Sequence, residues 1–227
     1  IQNRTDGEVY LGIVGPVRTG KSTFIKRFMD LMVLPFMEDE HARERTIDEL
    51  PQSAAGKTIM TTEPKFIPQE AVELKLAGEV TIRVRLVDCV GFMVEGAAGH
   101  LEDGAERLVK TPWYDHEIPF TQAAELGTRK VITDHSTIGV VVTTDGSFSD
   151  LPQETYLDAE NQAISELKKL HKPFLVLVNS SHPSSRTARE AAERIEKQHS
   201  VTAMPVNCAQ LSEEDIRQIM EQILYEF

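Results

Sequence analysis

The sequence is short of cysteine, of positive charge and of long apolar runs, and each shortage closes off a class of protein. Its two cysteines, Cys89 and Cys208, flank apolar strand-like runs at no metal-ligand spacing. Neither a zinc site nor a disulfide framework is expected, and both read as buried reduced thiols in a reducing compartment. No segment approaches the roughly 18 consecutive apolar residues that cross a bilayer, so no membrane span is expected. Lys and Arg total 24 against 36 Asp and Glu, a formal net charge of −12. That balance turns the surface away from nucleic-acid phosphates and anionic membranes and suits a basic partner. The seven histidines show no metal spacing, and no Ser/His/Asp arrangement stands out. The chain begins at Ile1 with no signal-peptide pattern and reads as a piece of a longer protein.

Against that background one motif dominates. Gly15-Pro16-Val17-Arg18-Thr19-Gly20-Lys21-Ser22 is a complete Gly-x-x-x-x-Gly-Lys-Ser loop. The apolar, strand-like run Val9–Val14 precedes it, and Thr23–Met32 follows with apolar residues at helical spacing. Strand, glycine loop and helix together let backbone N–H groups wrap a triphosphate at a helix N-terminus, where the macrodipole favours negative charge. Gly15 through Thr23 are therefore the expected nucleotide-binding segment, with Lys21 on the β/γ-phosphates and Ser22 on Mg²⁺.

Apolar strands alternate with amphipathic helices along the rest of the chain. A modest helix is expected around residues 40–50. Val72, Leu74 and Leu76, then Val80, Ile82, Val84 and Leu86, alternate as two arms of a hairpin turning at 77–79. Residues 92–118 read as a long surface insertion. Helices are expected over 120–134, 154–170 and 187–199, strands over 138–143, 173–178 and 203–207, and a last helix opened by Ser212–Asp215. This order predicts one α/β domain over 1–227, a P-loop NTPase with a mostly parallel sheet, one antiparallel strand and helices on both faces. Ligands in such sheets bind at the strands' carboxyl ends, where the loop, Asp88 and Asn179 all fall.

Asp88-Cys89-Val90-Gly91 has the Asp-x-x-Gly spacing of nucleotide switches. Asp88 is expected to hold Mg²⁺ through water, and the Gly91 N–H to meet the γ-phosphate. Thr61 and Thr62 stand in the irregular segment where such switches carry a threonine that binds Mg²⁺ and senses the γ-phosphate. Lys57 and Thr58 are weaker candidates. Two departures from the ordinary GTPase pattern matter more. The Asn-Lys-x-Asp guanine reader is here Asn179-Ser180-Ser181-His182. Without its carboxylate the two N–H donors of guanine go unmatched, at about 1–3 kcal/mol for a buried donor, which favours ATP over a reversible GTP switch. Phe92 replaces the glutamine that orients the attacking water. Arg18, in the middle of the loop, is a candidate arginine finger in cis.

With these residues assembled, the chain resembles the ATPase domain of the stage IV sporulation protein A family, spore-coat morphogenetic proteins. The most specific stretches are Val14–Phe24, Leu50–Phe66, Arg85–Gly91, Gly127–Ile132 and Leu224–Phe227. The resemblance implies a translation-factor-class GTPase-like fold that uses ATP, with Lys21 as the loop lysine, Asp88 as the Walker B aspartate and Thr61 and Thr62 as sensors. It also implies hydrolysis that drives self-assembly into a static layer on the outer forespore membrane, in the mother-cell cytoplasm. A small membrane-anchoring peptide and coat proteins would bind through a C-terminal region that, like the family's middle domain, is absent from this chain.

Overall fold

A computed structural model describes residues 7–51, 63–75, 81–97 and 101–226. Its centre is a six-stranded sheet. In chain order the strands are β1 (Glu8–Val14), β2 (Lys65–Lys75), β3 (Thr81–Asp88), β8 (Ile138–Thr144), β9 (Phe174–Asn179) and β10 (Ala203–Val206). They lie in the spatial order β10-β9-β8-β1-β3-β2. Every pairing is parallel except β2 with β3. The expected sheet, with its single antiparallel strand, is present.

Burial explains the residue types. All residues of β8 and β9 are buried, as parallel strands covered on both faces require, and both are nearly continuous apolar runs. Helix α1 (Lys21–Met32) and α6 (Glu213–Glu226) cover one face through Phe24, Phe28, Ile216 and Met220, packed with Leu11, Val140 and Leu175. Helices α3 (Phe120–Lys130), α4 (Leu157–Lys169) and α5 (Arg186–His199) lie over the other, where Val141 and Val176 meet Ile164 and Ile195. Helix α2 (Glu40–Glu49) is capped by Asp39, whose side chain accepts from the His41 and Ala42 amides. At α6, Ser212 and Asp215 exchange hydrogen bonds, Ser212 N–H to Asp215 Oδ2 at 2.9 Å and Asp215 N–H to Ser212 Oγ at 3.1 Å. That is the reciprocal cap expected from the sequence.

Three expectations need correcting. The first arm of the hairpin begins at Lys65, not near residue 72, because Pro68 and a register shift between Ile67 and Val72 hide the alternation; proline is tolerated there because β2 is an edge strand. The expected turn lies outside the described residues. The helix over 120–134 is α-helical only to Lys130, and Val131–His135 widens into a π-helical turn. Residues 92–118 are not all surface: Phe92, Val94 and Ala97 are buried in the second core cluster. From 101 on, the segment forms two small hairpins, β4 (Leu101–Glu102) with β5 (Ala105–Glu106) and β6 (Leu108–Val109) with β7 (Ile118–Pro119).

One buried charge ties the helical layer to the sheet. Glu160 of α4, 1% exposed, accepts from Thr143 Oγ1 of β8 at 2.6 Å and from the Arg194 guanidinium of α5 at 2.9 Å. Removing one partner of such a pair strands a desolvated charge. Arg194→Met should cost about 3 kcal/mol of folding stability, measured by urea unfolding; a loss under about 1 kcal/mol would show the pair to be a surface-like one.

Candidate nucleotide site

The phosphate loop follows β1 and is held from three directions. From β8, the Val142 carbonyl lies 2.7 Å from Thr19 Oγ1, which also lies 3.0 Å from the Pro16 carbonyl. From β9, Asn179 Nδ2 donates to the Thr19 carbonyl at 2.9 Å. From the segment after β3, the Phe92 N–H donates to the Gly15 carbonyl at 3.0 Å and the Val17 N–H donates to the Phe92 carbonyl at 2.9 Å. The backbone must turn sharply to allow this. Gly15 has φ 131°, and a Cβ there would stand 2.3 Å from the Val142 carbonyl oxygen. Arg18 adopts φ 61° and is exposed at the tip of the loop.

Where α2 and α6 spend side chains on their first amides, α1 spends none. Its N-cap is Gly20, no side chain caps it and no acidic residue lies in its first turn. Its leading N–H groups and dipole are left to an anion. Ser22 and Thr23 are half-buried in that first turn. Lys21 is 4% exposed and donates from Nζ to the Pro16 carbonyl at 2.5 Å. Burial pulls its ammonium below the usual lysine range, against the opposing influence of Cys89 and Asp88.

Asp88 closes β3, with its Oδ1 accepting the Cys89 N–H at 2.9 Å. Burial pushes its carboxyl up to about 6, despite the nearby Lys21 ammonium, the Cys89 N–H and Lys65. A carboxylate so poorly solvated favours a cation beside it, and a hydroxyl and a carboxylate are the hard oxygen donors Mg²⁺ prefers. Ser22 and Asp88 therefore fit the metal expected from the sequence. Gly91 lies hard against the loop: a Cβ there would be 2.6 Å from the Gly15 carbonyl oxygen and 2.7 Å from Lys21 Nζ.

Of the expected residues, Gly15 to Thr23, Asp88, Gly91 and Asn179 converge on one end of the sheet. Thr61 and Thr62, like Lys57 and Thr58, lie outside the described residues. Two expectations change in detail. Asn179 uses both ends of its amide on backbone, Nδ2 on Thr19 and Oδ1 on the Cys208 N–H at 3.0 Å. It positions the loop through these two backbone bonds. The Gly91 N–H donates to Thr128 Oγ1 at 3.1 Å, not toward the loop.

Residues the motif reading missed complete the site. Thr128 lies in the 127–132 stretch that carries the family resemblance and belongs to no phosphate-binding motif. Asp145, at the end of β8, accepts from Ser147 N–H and Oγ and, through Oδ2, from Ser180 Oγ at 2.6 Å. The serine standing where a guanine reader has lysine thus bonds the Asp145 carboxylate, and the reader's aspartate position is His182. Asp145 follows a buried strand end, which was the available signal.

A profile of the family described as "Stage IV sporulation protein A, ATPase domain" matches residues 1–227, the whole chain. The chain belongs to that family. It is 50% identical over 227 residues to stage IV sporulation protein A of Clostridioides difficile (strain 630), covering 100% of this chain and 46% of that protein. It is 48% identical to the protein of the same name from Bacillus subtilis (strain 168) and 46% identical to that from Bacillus anthracis, with the same coverage. The chain spans about half the length of the curated relatives it matches. Family membership makes it an ATPase domain, and the alternative of a GTP switch finds no support. No described helix is long and apolar enough to cross a membrane.

The site's thiol yields a direct check. Burial pushes Cys89 and Cys208 up to about 12, so at pH 8 only about one thiol in ten thousand is ionised, against roughly a quarter for a free cysteine. Both should resist iodoacetamide at pH 8 in the folded domain and react fully in urea, as counted by mass spectrometry. Rapid alkylation of Cys89 in the folded domain would contradict the closed packing around β3.

Proposed function

We propose that this domain binds Mg²⁺-ATP on the 15–23 loop and that hydrolysis drives a conformational change leading to self-assembly of a static layer of the spore coat on the forespore surface. The observation that carries the binding reading is the uncapped start of α1, with Lys21 buried behind it and Asp88 alongside. Backbone N–H groups of the loop and the Lys21 ammonium neutralise the triphosphate. To reach it, Lys21 exchanges its contact with the Pro16 carbonyl for phosphate oxygens. Ser22 and Asp88, with Thr62, would hold Mg²⁺, which would supply charge neutralisation to the triphosphate. Thr61 and Thr62 sense the γ-phosphate. Arg18, exposed on the loop at a positive φ, is the candidate for stabilising charge at the β/γ bridge, a role worth about 10³–10⁵ in rate for arginine fingers.

ATP is preferred because the position that holds the guanine-reading aspartate in GTP switches is His182 here. Family membership supports the sporulation role. The translation-factor-class relationship of the fold is part of the same reading, supported by the Asp-x-x-Gly spacing and the antiparallel β2. Partners of the full-length protein, a membrane-anchoring peptide and coat proteins, belong to regions outside this chain, and the cytoplasmic face of the forespore envelope in the mother cell is the proposed location.

Three variants test the assignment. Lys21→Ala should weaken ATP binding about 100-fold or more, since a charge-assisted phosphate contact is lost. Thr61→Ala/Thr62→Ala should bind ATP like the parent yet release no phosphate and fail to assemble, and Arg18→Ala should bind normally while hydrolysing at least about tenfold more slowly. Parental phosphate release by the threonine variant would remove the sensor role, and parental release by Arg18→Ala the finger.

A further inference from the structure

We infer that Thr128 is a positioning residue for the nucleotide switch: its hydroxyl holds the Gly91 N–H until a γ-phosphate takes that hydrogen bond away. The inference rests on the proposed ATP reading and names the group that competes with the nucleotide. Thr128 is fully buried on α3, where its Oγ1 donates to the Ala124 carbonyl at 2.8 Å and accepts from the Gly91 N–H at 3.1 Å. The hydroxyl is thereby aimed at Gly91 by its own helix. Gly91 in turn sits against Lys21 Nζ and the Gly15 carbonyl with φ 104°. A phosphate held by Lys21 therefore arrives beside a peptide unit that only glycine lets rotate at low cost.

The neighbouring residue makes the choice two-state. Phe92 is 1% exposed, and its N–H and C=O both pair with the loop, to Gly15 and Val17. With Phe92 pinned on one side, the Gly91 N–H is bonded to Thr128 Oγ1, with the Cys89 sulfur as a second, weak acceptor beside it, and a stronger one arrives with the triphosphate. A diphosphate lacks that stronger acceptor. Thr128 thus biases the domain toward the ligand-free and ADP arrangement, and α3 feels the exchange directly through the Thr128 side chain. Moving the hand-over from phosphate to helix is a route by which nucleotide state reaches the outer layer of the fold.

Titration calorimetry with Mg²⁺ of a non-hydrolysable ATP analogue and of ADP tests this in the parent, Thr128→Val and Thr128→Ser. Thr128→Val keeps the branched shape and removes the oxygen acceptor, leaving Gly91 only the weak Cys89 sulfur where no γ-phosphate is bound. The ratio of triphosphate to diphosphate affinity should rise about fivefold in Thr128→Val, the worth of one net hydrogen bond, and stay within about twofold of the parent in Thr128→Ser. A merely structural role would weaken both nucleotides alike. An unchanged ratio in Thr128→Val overturns the inference while leaving the ATP reading intact; no triphosphate binding by the parent overturns the ATP reading itself. Should Thr128→Val not fold, the Gly91 amide resonance of the parent decides: it should move on adding the triphosphate analogue and keep its ligand-free position with ADP. The same position with both ligands overturns the inference.

Discussion

The phosphate loop keeps its shape because groups at or beyond three other strand ends are bonded to it. Thr19 reaches the end of β8, Asn179 reaches in from β9, and Phe92 pairs with the loop from beyond β3. Asn179 also binds the Cys208 N–H after β10, so one amide side chain links the loop to the edge of the sheet. Loop geometry is thus set by the register of the parallel strands, and the register is set by the two apolar faces. Glycine at 15 and 91 is the local condition for it, since a side chain at either position would strike backbone.

The same packing creates an electrostatic need. Lys21 and Asp88 are both desolvated, the ammonium pulled down and the carboxyl pushed up to about 6. Each partly offsets the other's burial, and neither is matched in full by protein groups. In the proposed function, a polyanion with a divalent cation satisfies both at once. On that reading, nucleotide binding completes a site whose charges the fold has already placed, the pre-organisation that phosphoryl transfer depends on.

Much of this was legible beforehand because the signals were local. The loop, the buried runs of β8 and β9 and the Ser212–Asp215 cap are short-range patterns with a single good structural solution. What stayed hidden depends on contacts distant in sequence. Nothing near Thr128 announces that its hydroxyl meets Gly91, 37 residues away, and nothing near Asn179 shows that both ends of its amide are taken. The first arm of the hairpin was obscured at Pro68, where alternation breaks on an edge strand. The insertion after Gly91 was misread because glycine and proline content suggests surface, whereas Phe92, Val94 and Ala97 pack inward beneath the loop.

The most direct test of the account is calorimetric titration of the domain with Mg²⁺-ATP and, separately, Mg²⁺-GTP. The account predicts saturable binding of ATP and binding of GTP at least about tenfold weaker, because His182 stands at the guanine-reading aspartate position. No heat with ATP, or GTP bound as tightly as ATP, would contradict it.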